Sequence, residues 1–275
     1  MAKNKPATIA TWNINSVRLR MPLVQKFVER FAPDVLCLQE IKCDNGSFPE
    51  KDLRALGYEH IAVHGQKAYH GVATLSRLPF AETDKFDFCG KGDARHLHVR
   101  FGDKAGALAG LTLHNFYVPA GGDEPDPDAN PKFAHKLEFL SEMKTRSGDM
   151  CSNGSGRTLL VGDLNVAPLE SDVWSHKQLL KVVSHTPIEC DHLNAVIDAG
   201  KWVDVMRTHI PPEEKLFTWW SYRAADWELS NKGRRLDHVW ASPKIAKSVS
   251  SIAVVKEARG WDKPSDHVPV IATLS

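Results

Sequence analysis

The stretch Leu160-Val161-Gly162-Asp163-Leu164-Asn165-Val166-Ala167-Pro168 places a carboxylate and an amide directly after a short apolar run. A run of this length and apolarity predicts a buried β-strand. Because residues i and i+2 of a strand point to the same face, we expect Asp163 and Asn165 to project together from its end. Gly162 lets the backbone approach another group closely, and Pro168 prevents the strand ladder from continuing. An acidic acceptor beside an amide at the rim of a sheet is suited to hold a polarised water or a phosphate.

Three other predicted strand ends carry polar side chains that we expect to join this group. They are Gln39-Glu40, Leu236-Asp237-His238 and Ser265-Asp266-His267. A glutamate at the end of an apolar strand either meets water or binds a cation, and a carboxylate next to phosphate suits Mg²⁺. A histidine held by an aspartate gains a fixed tautomer, whereas an isolated histidine is more often part of the core. We assign that second interpretation to His70, His114 and His238.

Length and composition suit one large domain or two small ones, with ample core, and we expect a single domain over residues 1–275. Of the 275 residues, 42% are hydrophobic. The net charge of +1 excludes a polycation, so any contact with nucleic acid has to come from a local basic patch. Composition alone assigns the short basic groups mainly to the solvated surface. These groups are Arg18 with Arg20, Lys132 with Lys136, and Lys232 with Arg234 and Arg235.

The cysteines and the N-terminus indicate a reducing compartment. The chain has five cysteines, which is an odd number, and it contains no Cys-x-x-Cys motif. Both features favour free thiols. The first residues, Met1 to Pro6, lack the apolar run of a signal peptide. No stretch approaches the ~20 apolar residues of a membrane span. We therefore expect a cytoplasmic protein that does not bind membranes.

Hydrophobic periodicity predicts many strands and few helices. The predicted helices cover residues 22–31, 49–56, 131–146 and 192–199. The predicted strands cover 9–14, 34–38, 58–63, 71–76, 96–101, 108–118, 158–161, 202–204, 217–220, 236–241, 249–255 and 268–274. A loop rich in Gly, Pro and acidic residues is expected over 119–128. This order, with both hairpins and crossovers, indicates two packed sheets flanked by helices, an α+β sandwich.

Aromatic residues add two weaker signals. Tyr117 ends a long predicted strand, where its phenol either donates to a phosphate oxygen or lies at the surface. Trp219, Trp220 and Tyr222 stand next to Arg223, an arrangement that can stack on a base or sugar. Aromatic residues in strands are more often core, so this cluster alone favours packing. The sequence has neither a Gly-x-Ser-x-Gly elbow nor a P-loop lysine motif.

Taken in order, these blocks resemble the exonuclease III family of abasic-site endonucleases, within the endonuclease/exonuclease/phosphatase superfamily. Glu40, Gly162-Asp163-Leu164-Asn165 and Ser265-Asp266-His267 mark the superfamily. Further matching blocks are Thr11-Trp12-Asn13-Ile14-Asn15-Ser16-Val17-Arg18, Leu38-Gln39-Glu40-Ile41-Lys42 and Phe116-Tyr117-Val118-Pro119. The DNA-repair branch is indicated by the Asn13-Ile14-Asn15 start, Phe217-Thr218-Trp219-Trp220-Ser221-Tyr222-Arg223 and Arg235-Leu236-Asp237. The resemblance covers essentially the whole chain.

The resemblance implies a four-layer α/β sandwich, with two mixed β-sheets face to face, helices outside and the active site at one edge. It implies hydrolysis of DNA phosphodiesters that depends on Mg²⁺, for which Mn²⁺ substitutes. The implied activities are incision 5′ to an abasic site that leaves a 3′-hydroxyl, removal of 3′-blocking groups, and 3′-to-5′ degradation of duplex DNA. The implied partner is double-stranded DNA, abasic or 3′-blocked, bound by a monomer at the nucleoid.

Matching motifs carry residue roles with them. Glu40 becomes the principal metal ligand, and Asn13, Asn15 and Asp266 lie at or near the metal. Tyr117 contacts the target phosphate. The further implied DNA contacts are Arg18, Arg95, Lys132, Trp219, Arg223 and Arg234.

The same matching assigns the chemistry. Asp163 and Asn165 position and activate the attacking water, with Asp163 favoured as the proton acceptor. His267, oriented by Asp237, polarises or hydrogen-bonds the phosphate. Whether Asp163 or His267 is the base stays open at this point.

The sequence departs from the family pattern at two positions and in one loop. Asn15 stands where some relatives carry Asp, which lowers the negative charge near the metal. Arg234 stands where other members place a bulky apolar or aromatic residue that lines the pocket for the abasic sugar. The acidic loop after Pro119 is unusual for a surface near DNA; it either points away or tempers binding.

Two other functions fit parts of the sequence. One is a phosphoesterase of the same fold that acts on a lipid or another non-DNA phosphate ester. The DNA-repair blocks argue against it. The other is a catalytically silent DNA-binding domain, which would have lost at least one of the residues assigned to chemistry. All of them are present.

Overall fold

The computed structural model describes residues 5–224 and 226–275. The strands in these ranges are β1 (Ala7–Asn13), β2 (Val35–Gln39), β3 (His60–His64), β4 (Val72–Ser76), β5 (Phe80–Asp84), β6 (His96–Phe101), β7 (Thr112–Tyr117), β8 (Thr158–Asp163), β9 (Val203–Asp204), β10 (Trp219–Trp220), β11 (Gly233–Arg234), β12 (Asp237–Ala241), β13 (Val249–Val254) and β14 (Val270–Leu274). The α-helices are α1 (Met21–Phe31), α2 (Glu50–Ala55), α3 (Pro131–Met150), α4 (His176–Leu179), α5 (Pro187–Gly200), α6 (Val205–His209), α7 (Trp227–Ser230) and α8 (Pro243–Ala246).

Two six-stranded mixed sheets form the body of the protein, and β10 and β11 make a separate short ribbon. The first sheet has the order β13-β14-β1-β2-β4-β3, and the second the order β5-β6-β7-β8-β12-β9. In each sheet two central neighbours are parallel, β1 with β2 and β7 with β8. Parallel neighbours need a long crossover, which α1 supplies in the first sheet and α3 in the second.

The sheets face each other across the largest apolar core, which contains Ile9 and Val35 from the first sheet and Leu113 and Val161 from the second. Helix α1 covers the outer face of the first sheet, and α3 and α5 cover the outer face of the second. This order of helix, sheet, sheet and helix confirms the four-layer sandwich. No helix in the described ranges is long and apolar enough to cross a membrane.

Local sequence explains where the principal helices begin. Pro22 lies in the first turn of α1, whose Leu23, Val24, Phe27 and Val28 are buried at helical spacing. The Asn130 side chain accepts a hydrogen bond of 3.0 Å from the Lys132 amide and caps α3. Each helix therefore starts at a residue that fixes the first turn.

Several predicted boundaries are wrong. Helix α5 starts at Pro187 rather than at 192, because Thr186 and Glu189 form a capping box there. Helix α3 continues to Met150 rather than ending at 146. Strand β7 begins at Thr112 rather than at 108, because a short 3₁₀ turn covers Gly106–Leu108. Strand β5 was not expected. Apart from Phe80 its residues are exposed, so it lacks the alternation of apolar and polar residues on which strand prediction relies.

In the stretch 160–168, strand β8 comes into close contact with β7 at Gly162. Gly162 has a φ of 137°, and a Cβ atom there would overlap the backbone carbonyl of Phe116. The group that approaches Gly162 is thus the neighbouring strand. In the resulting register Tyr117 pairs with Asp163, and Asp237 of β12 pairs with Asp163 from the other side.

Candidate active site

The carboxyl ends of the parallel strands lie at one edge of the sandwich. Asn13 ends β1 and pairs with Gln39 at the end of β2, directly before Glu40. Asp163 ends β8, and His267 lies just before β14. Loops from both sheets therefore deliver polar side chains to the same place, as the strand-end clusters predicted.

Three residues that deliver these side chains have left-handed backbone conformations. Asn15, Glu40 and Asn165 have φ values of 47°, 48° and 54°. A non-glycine residue in this region costs roughly 1–3 kcal/mol, and such residues cluster at functional sites. Because Asn165 leaves the strand in this way, its contact with Asp163 does not come from the alternation of a strand. Its side-chain amide donates to Oδ2 of Asp163 at 3.1 Å, and its backbone amide donates to Oδ1 at 2.9 Å.

Asn13 joins the two sheets beneath the site. Its Nδ2 donates to Oε1 of Glu40 at 3.0 Å and to Oδ2 of Asp163 at 2.9 Å. Its Oδ1 accepts from the Asn15 backbone amide at 3.0 Å. Asn13 is fully buried, and its contact with Asp163 is shielded from water, whereas those with Glu40 and Asn15 are partly buried. It therefore fixes the separation of the two carboxylates that the sequence assigned to metal binding and to chemistry.

Asp163, His267 and Asp237 form a buried chain. Nδ1 of His267 lies 2.8 Å from Oδ2 of Asp237, and Nε2 lies 3.6 Å from Oδ2 of Asp163. Asp163 and Asp237 are fully buried, and His267 is 4% exposed. The backbone amide of Asp237 is in turn held by the Thr218 hydroxyl at 3.1 Å. The imidazole is thus oriented by its hydrogen bond with Asp237, and the Asp163 carboxylate faces its other nitrogen.

The electrostatics of this chain distinguish the two candidates for the base. Burial raises the pKa of Asp163 to about 7, and His267 and Asn13 only partly oppose that rise. Burial lowers the pKa of His267, but the carboxylates of Asp237 and Asp163 outweigh it and raise the pKa to about 10. These opposite surroundings favour the imidazole as the charged donor and the Asp163 carboxylate as the proton acceptor.

Oxygen donors that suit a hard cation surround the adjoining position. Glu40 and Asp266 line the same pocket, and the Asn15 amide donates to Oδ1 of Asp266 at 3.1 Å. Burial raises the pKa of Glu40, but Lys42 and the Asn13 hydrogen bond outweigh it and hold the pKa below its usual value. Burial likewise raises the pKa of Asp266, and His267 and Trp219 outweigh it. Two ionised carboxylates with amide neighbours fit Mg²⁺, which typically uses one or two protein carboxylates.

Lys42 is a member of this site that sequence analysis missed. Its Nζ lies 2.9 Å from Oε2 of Glu40 and donates to Oδ1 of Asn15 at 2.6 Å. It stands two residues after Glu40, a spacing that could have suggested it. The ammonium neutralises part of the carboxylate charge, so this chain carries a cation of its own beside the candidate metal position.

A pocket of about 520 Å³ opens over these groups. Glu40, Asn165, Asp266 and His267 form its polar floor. Asp163, which accepts a hydrogen bond from the Asn165 side chain, is fully buried and does not line the pocket. The walls of the pocket include Trp219, Arg223, Lys232 and Arg234. Asp123 of the acidic loop also lines it, so this part of the loop does not point away from the site.

A second depression of about 540 Å³ adjoins the first at Ala120 and Gly122. It contains Tyr117, Arg95 and Lys132. Arg95 is largely buried, and its guanidinium carbon lies 5.1 Å from the centre of the Tyr117 ring. Burial, with Glu40 and Asp163 nearby, raises the pKa of Tyr117 well above its usual value, which keeps the phenol protonated as a donor. Arg95 is thus placed to orient Tyr117.

The remaining predicted DNA contacts lie at different depths. Arg18 and Arg223 are exposed, and Arg18 lies outside both depressions. Trp219 donates from Nε1 to Oδ2 of Asp266 at 3.0 Å, so it holds a candidate metal ligand as well as lining the pocket. Its neighbour Trp220 is buried in the core, which agrees with the expectation that aromatic residues in strands pack in the core.

The expectation that the short basic groups are surface is wrong for three residues. Arg20, Lys136 and Arg235 are buried. Arg235 forms ion pairs with Asp172 and Asp204, and Lys136 forms one with Glu189. Lys136 also donates to the backbone carbonyl of Asn165 at 2.7 Å. Their partners are distant in sequence, so no local pattern could have identified these pairs.

A second group of nitrogen atoms suited to a metal consists of His96, His98 and His114. The Phe86 backbone amide donates to Nδ1 of His96 at 3.0 Å, which leaves the proton of that imidazole on Nε2. Nε2 lies 3.0 Å from Nδ1 of His114. Both ring nitrogens of His96 are therefore occupied, and the cluster belongs to the aromatic packing under α3. This agrees with the core assignment of His114.

Comparison with known proteins gives a consistent result across the whole chain. The profile of the Endonuclease/Exonuclease/phosphatase family matches residues 10–267. Exodeoxyribonuclease III of Haemophilus influenzae is 29% identical over 268 residues, which cover 95% of this chain and 97% of that protein. The structure of an AP endonuclease from Archaeoglobus fulgidus superimposes with a TM-score of 0.88 at 29% identity, covering 98% and 99% of the two chains. A 3′ phosphatase from Neisseria, solved with a product DNA hairpin, gives 0.87 at 28% identity, with the same coverage.

Proposed function

The chain belongs to the endonuclease/exonuclease/phosphatase family, and from that membership we propose that it is a DNA-repair phosphodiesterase. It incises DNA 5′ to abasic sites, leaving a 3′-hydroxyl, and it removes blocking groups and nucleotides from 3′ ends. The observation that carries the proposal is the buried chain Asp237–His267–Asp163 joined through Asn13 to Glu40. In the proposed site Asp163 acts as the proton acceptor, His267 as the cationic donor, and Glu40 with Asp266 as the ligands of a cation.

Each residue has a defined part in the proposed reaction. Asp163, held by Asn13 and Asn165, accepts a proton from the attacking water. The water oxygen forms a bond to phosphorus, the bond from phosphorus to O3′ breaks, and O3′ takes up a proton to become the 3′-hydroxyl. The His267 cation donates to a non-bridging oxygen as negative charge develops. Tyr117 donates to the same phosphate from the adjoining depression.

Glu40 and Asp266, supported by Asn13 and Asn15, would hold Mg²⁺, or Mn²⁺ in its place. When bound, the ion supplies a Lewis acid that stabilises charge on the phosphate. Lys42 contributes part of this compensation from the chain itself.

The proposed substrate is double-stranded DNA that is abasic or blocked at its 3′ end, bound by a monomer. Support comes from the relatives, which include proteins named as an exodeoxyribonuclease III, an AP endonuclease and a 3′ phosphatase bound to DNA. Support also comes from the cationic walls of the pocket, Arg223, Lys232 and Arg234.

A labelled duplex tests the proposal. One duplex carries a single internal tetrahydrofuran abasic analogue, and a matched duplex is undamaged. Each is incubated with the protein in Mg²⁺, in Mn²⁺ and in EDTA. A cut at the analogue that requires the metal is expected, with a slower 3′-to-5′ ladder on both duplexes.

Two outcomes would change the assignment. A ladder without the specific cut would make exonuclease action the main activity. Absence of cleavage on either duplex would contradict the proposal and favour a phosphate ester other than DNA, or a silent DNA-binding domain.

A further inference from the structure

Arg234 presents a fixed guanidinium to the pocket. Its Nη1 donates to the Val183 carbonyl at 2.9 Å and to the Ser184 hydroxyl at 2.8 Å. Its guanidinium carbon lies 5.1 Å from the centre of the Trp219 ring. Strand β11 anchors its backbone, because Arg234 pairs with Trp219 across the short ribbon. Two hydrogen bonds and one stacked face therefore hold the group in place before any ligand arrives.

The charge of Arg234 has no carboxylate partner within ion-pair distance in the part of the chain that the structure describes. Its Nε is buried, and no hydrogen-bond partner for it occurs among those residues. Arg235, the next residue, pairs with Asp172 and Asp204. Burial lowers the pKa of Arg234, although a guanidinium stays charged at any physiological pH.

The carboxylate that acts on this charge, Glu189, already has hydrogen-bond donors of its own. Glu189 partly offsets the effect of burial on Arg234. Its oxygens accept from Lys136, from the Ser184 backbone amide at 2.9 Å and from the Thr186 hydroxyl at 2.6 Å. Glu189 is therefore saturated by its own donors. Burying a charge without a partner is costly, so an unpaired guanidinium in a pocket indicates an anionic ligand.

Arg234 lines the same pocket as Asp266 and His267, so it can reach a phosphate that reacts there. Under the proposed reaction the bond between phosphorus and O3′ breaks, so the substituent that stays bonded to phosphorus, beside the two non-bridging oxygens, remains in the pocket. At an internal abasic site that substituent is a neutral sugar. At a 3′-phosphorylated end it is an additional ionised oxygen. Of these two substituents, only the additional ionised oxygen carries a charge with which a guanidinium can pair.

We propose that Arg234 is a specificity residue that binds the extra anionic oxygen of a 3′-phosphate monoester and so favours end cleaning over abasic incision. This inference rests on the proposed function, because it uses the same site. In the favoured reaction water attacks phosphorus, the bond to O3′ breaks, and the products are a 3′-hydroxyl and inorganic phosphate.

The test compares two substrates on one enzyme preparation. Removal of phosphate from a 3′-phosphorylated nick and incision at an internal tetrahydrofuran are measured as kcat/KM, and their ratio is recorded. The ratio does not depend on the fraction of protein that is folded. The variants are Arg234→Gln, which removes the charge, and Arg234→Lys, which keeps it. Arg223→Gln serves as the matched control, since Arg223 lies at the exposed rim of the same pocket.

The expected result is a fall of the ratio by at least about tenfold in Arg234→Gln, because a hydrogen bond to a charged group is lost. Arg234→Lys should retain part of the preference, and Arg223→Gln should lower both rates alike. An unchanged ratio in Arg234→Gln would overturn this inference and leave the proposed function intact. Failure of the wild-type protein to act on either substrate would instead overturn the proposed function.

Discussion

At the scale of single residues, the buried cluster of Asp163, His267 and Asp237 raises the pKa values of Asp163 and His267, with opposite chemical consequences. Burial raises the pKa of the Asp163 carboxyl to about 7, which makes it a base near neutral pH. Two carboxylates outweigh burial and raise the pKa of His267 to about 10, which keeps the imidazole charged. Sequence alone left the choice of base open. The surroundings of the two side chains favour Asp163 as the base and His267 as the donor.

Asp163→Asn removes the proposed base and keeps the shape of the side chain. Turnover should fall by roughly 10²–10⁴-fold, the usual contribution of a positioned base. Affinity for DNA should change little, because Asp163 is fully buried and does not line the pocket. Single-turnover cleavage and fluorescence anisotropy measure the two effects. Near wild-type turnover in the variant would remove Asp163 from the mechanism.

Asp237→Asn should move the alkaline limb of the pH–rate profile. In the proposed mechanism the active form of His267 is the cation, so activity should be present below its pKa and should be lost as pH rises through it. Asp237 leads the causes that raise this pKa against burial, so its loss lets burial lower the value from about 10. The alkaline limb of kcat/KM should therefore shift to lower pH. An alkaline limb that coincides with that of the wild type would contradict a charged His267.

The role of a residue could be predicted from the sequence where the residue stands at the end of a strand. It could not be predicted where the role depends on a partner that is distant in sequence. Glu40, Asp163 and His267 stand at the ends of apolar runs, which sequence reveals. Lys136 has the same local signature as a surface lysine, and only its contact with Glu189 distinguishes it. The left-handed conformation of Glu40 is also imposed by its surroundings, since glutamate has no preference for it.

At the scale of elements, Lys136 and Glu189 connect α3 and α5 to the active site. Both side chains are fully buried. Lys136 also donates to the Asn165 carbonyl, and Glu189 accepts from the backbone amides of Ser184 and Thr186. The pair thus ties two helices to a segment of the pocket floor and to a segment of its wall.

Lys136→Met leaves the Glu189 carboxylate buried without its partner. The free energy of unfolding should fall by about 3–5 kcal/mol, as is typical when one member of a buried pair is removed. Urea denaturation measures the change. The double variant Lys136→Met with Glu189→Gln should recover part of it, because no charge is then left unpaired.

The matched control is Arg54→Met, which breaks the exposed pair of Arg54 with Glu50 on α2. Its effect should stay below about 1 kcal/mol. Equal losses in Lys136→Met and Arg54→Met would show that the buried pair does not organise these elements.

Element prediction succeeded where burial produces a strong pattern. Strands β2 and β8 are buried along their whole length and form the apolar runs that the sequence showed. Strand β5 is mostly exposed, so hydrophobic periodicity did not predict it. Helix α5 begins with a capping box in a polar segment, so the predicted helix started too late.

At the scale of the whole molecule, the two sheets share one core, and we propose that residues 1–275 form a single domain. Ile9 and Cys37 of the first sheet and Val99 and Val161 of the second belong to the same apolar cluster. Asn13 further joins β1 to β8 by a hydrogen bond of 2.9 Å to Asp163. Calorimetry should therefore show one unfolding transition. Two transitions, one for each sheet, would contradict a shared core.

The central claim is that water, activated beside Asp163, attacks phosphorus and releases O3′ as a hydroxyl. The most direct test is a single turnover in water enriched in oxygen-18, on a duplex with one natural abasic site, followed by mass spectrometry of both fragments. The account predicts an unlabelled 3′-hydroxyl on the upstream fragment and one oxygen-18 atom in the 5′-phosphate of the downstream fragment. An upstream fragment that ends in an unsaturated aldehyde, or a downstream phosphate without label, would contradict hydrolysis at this site.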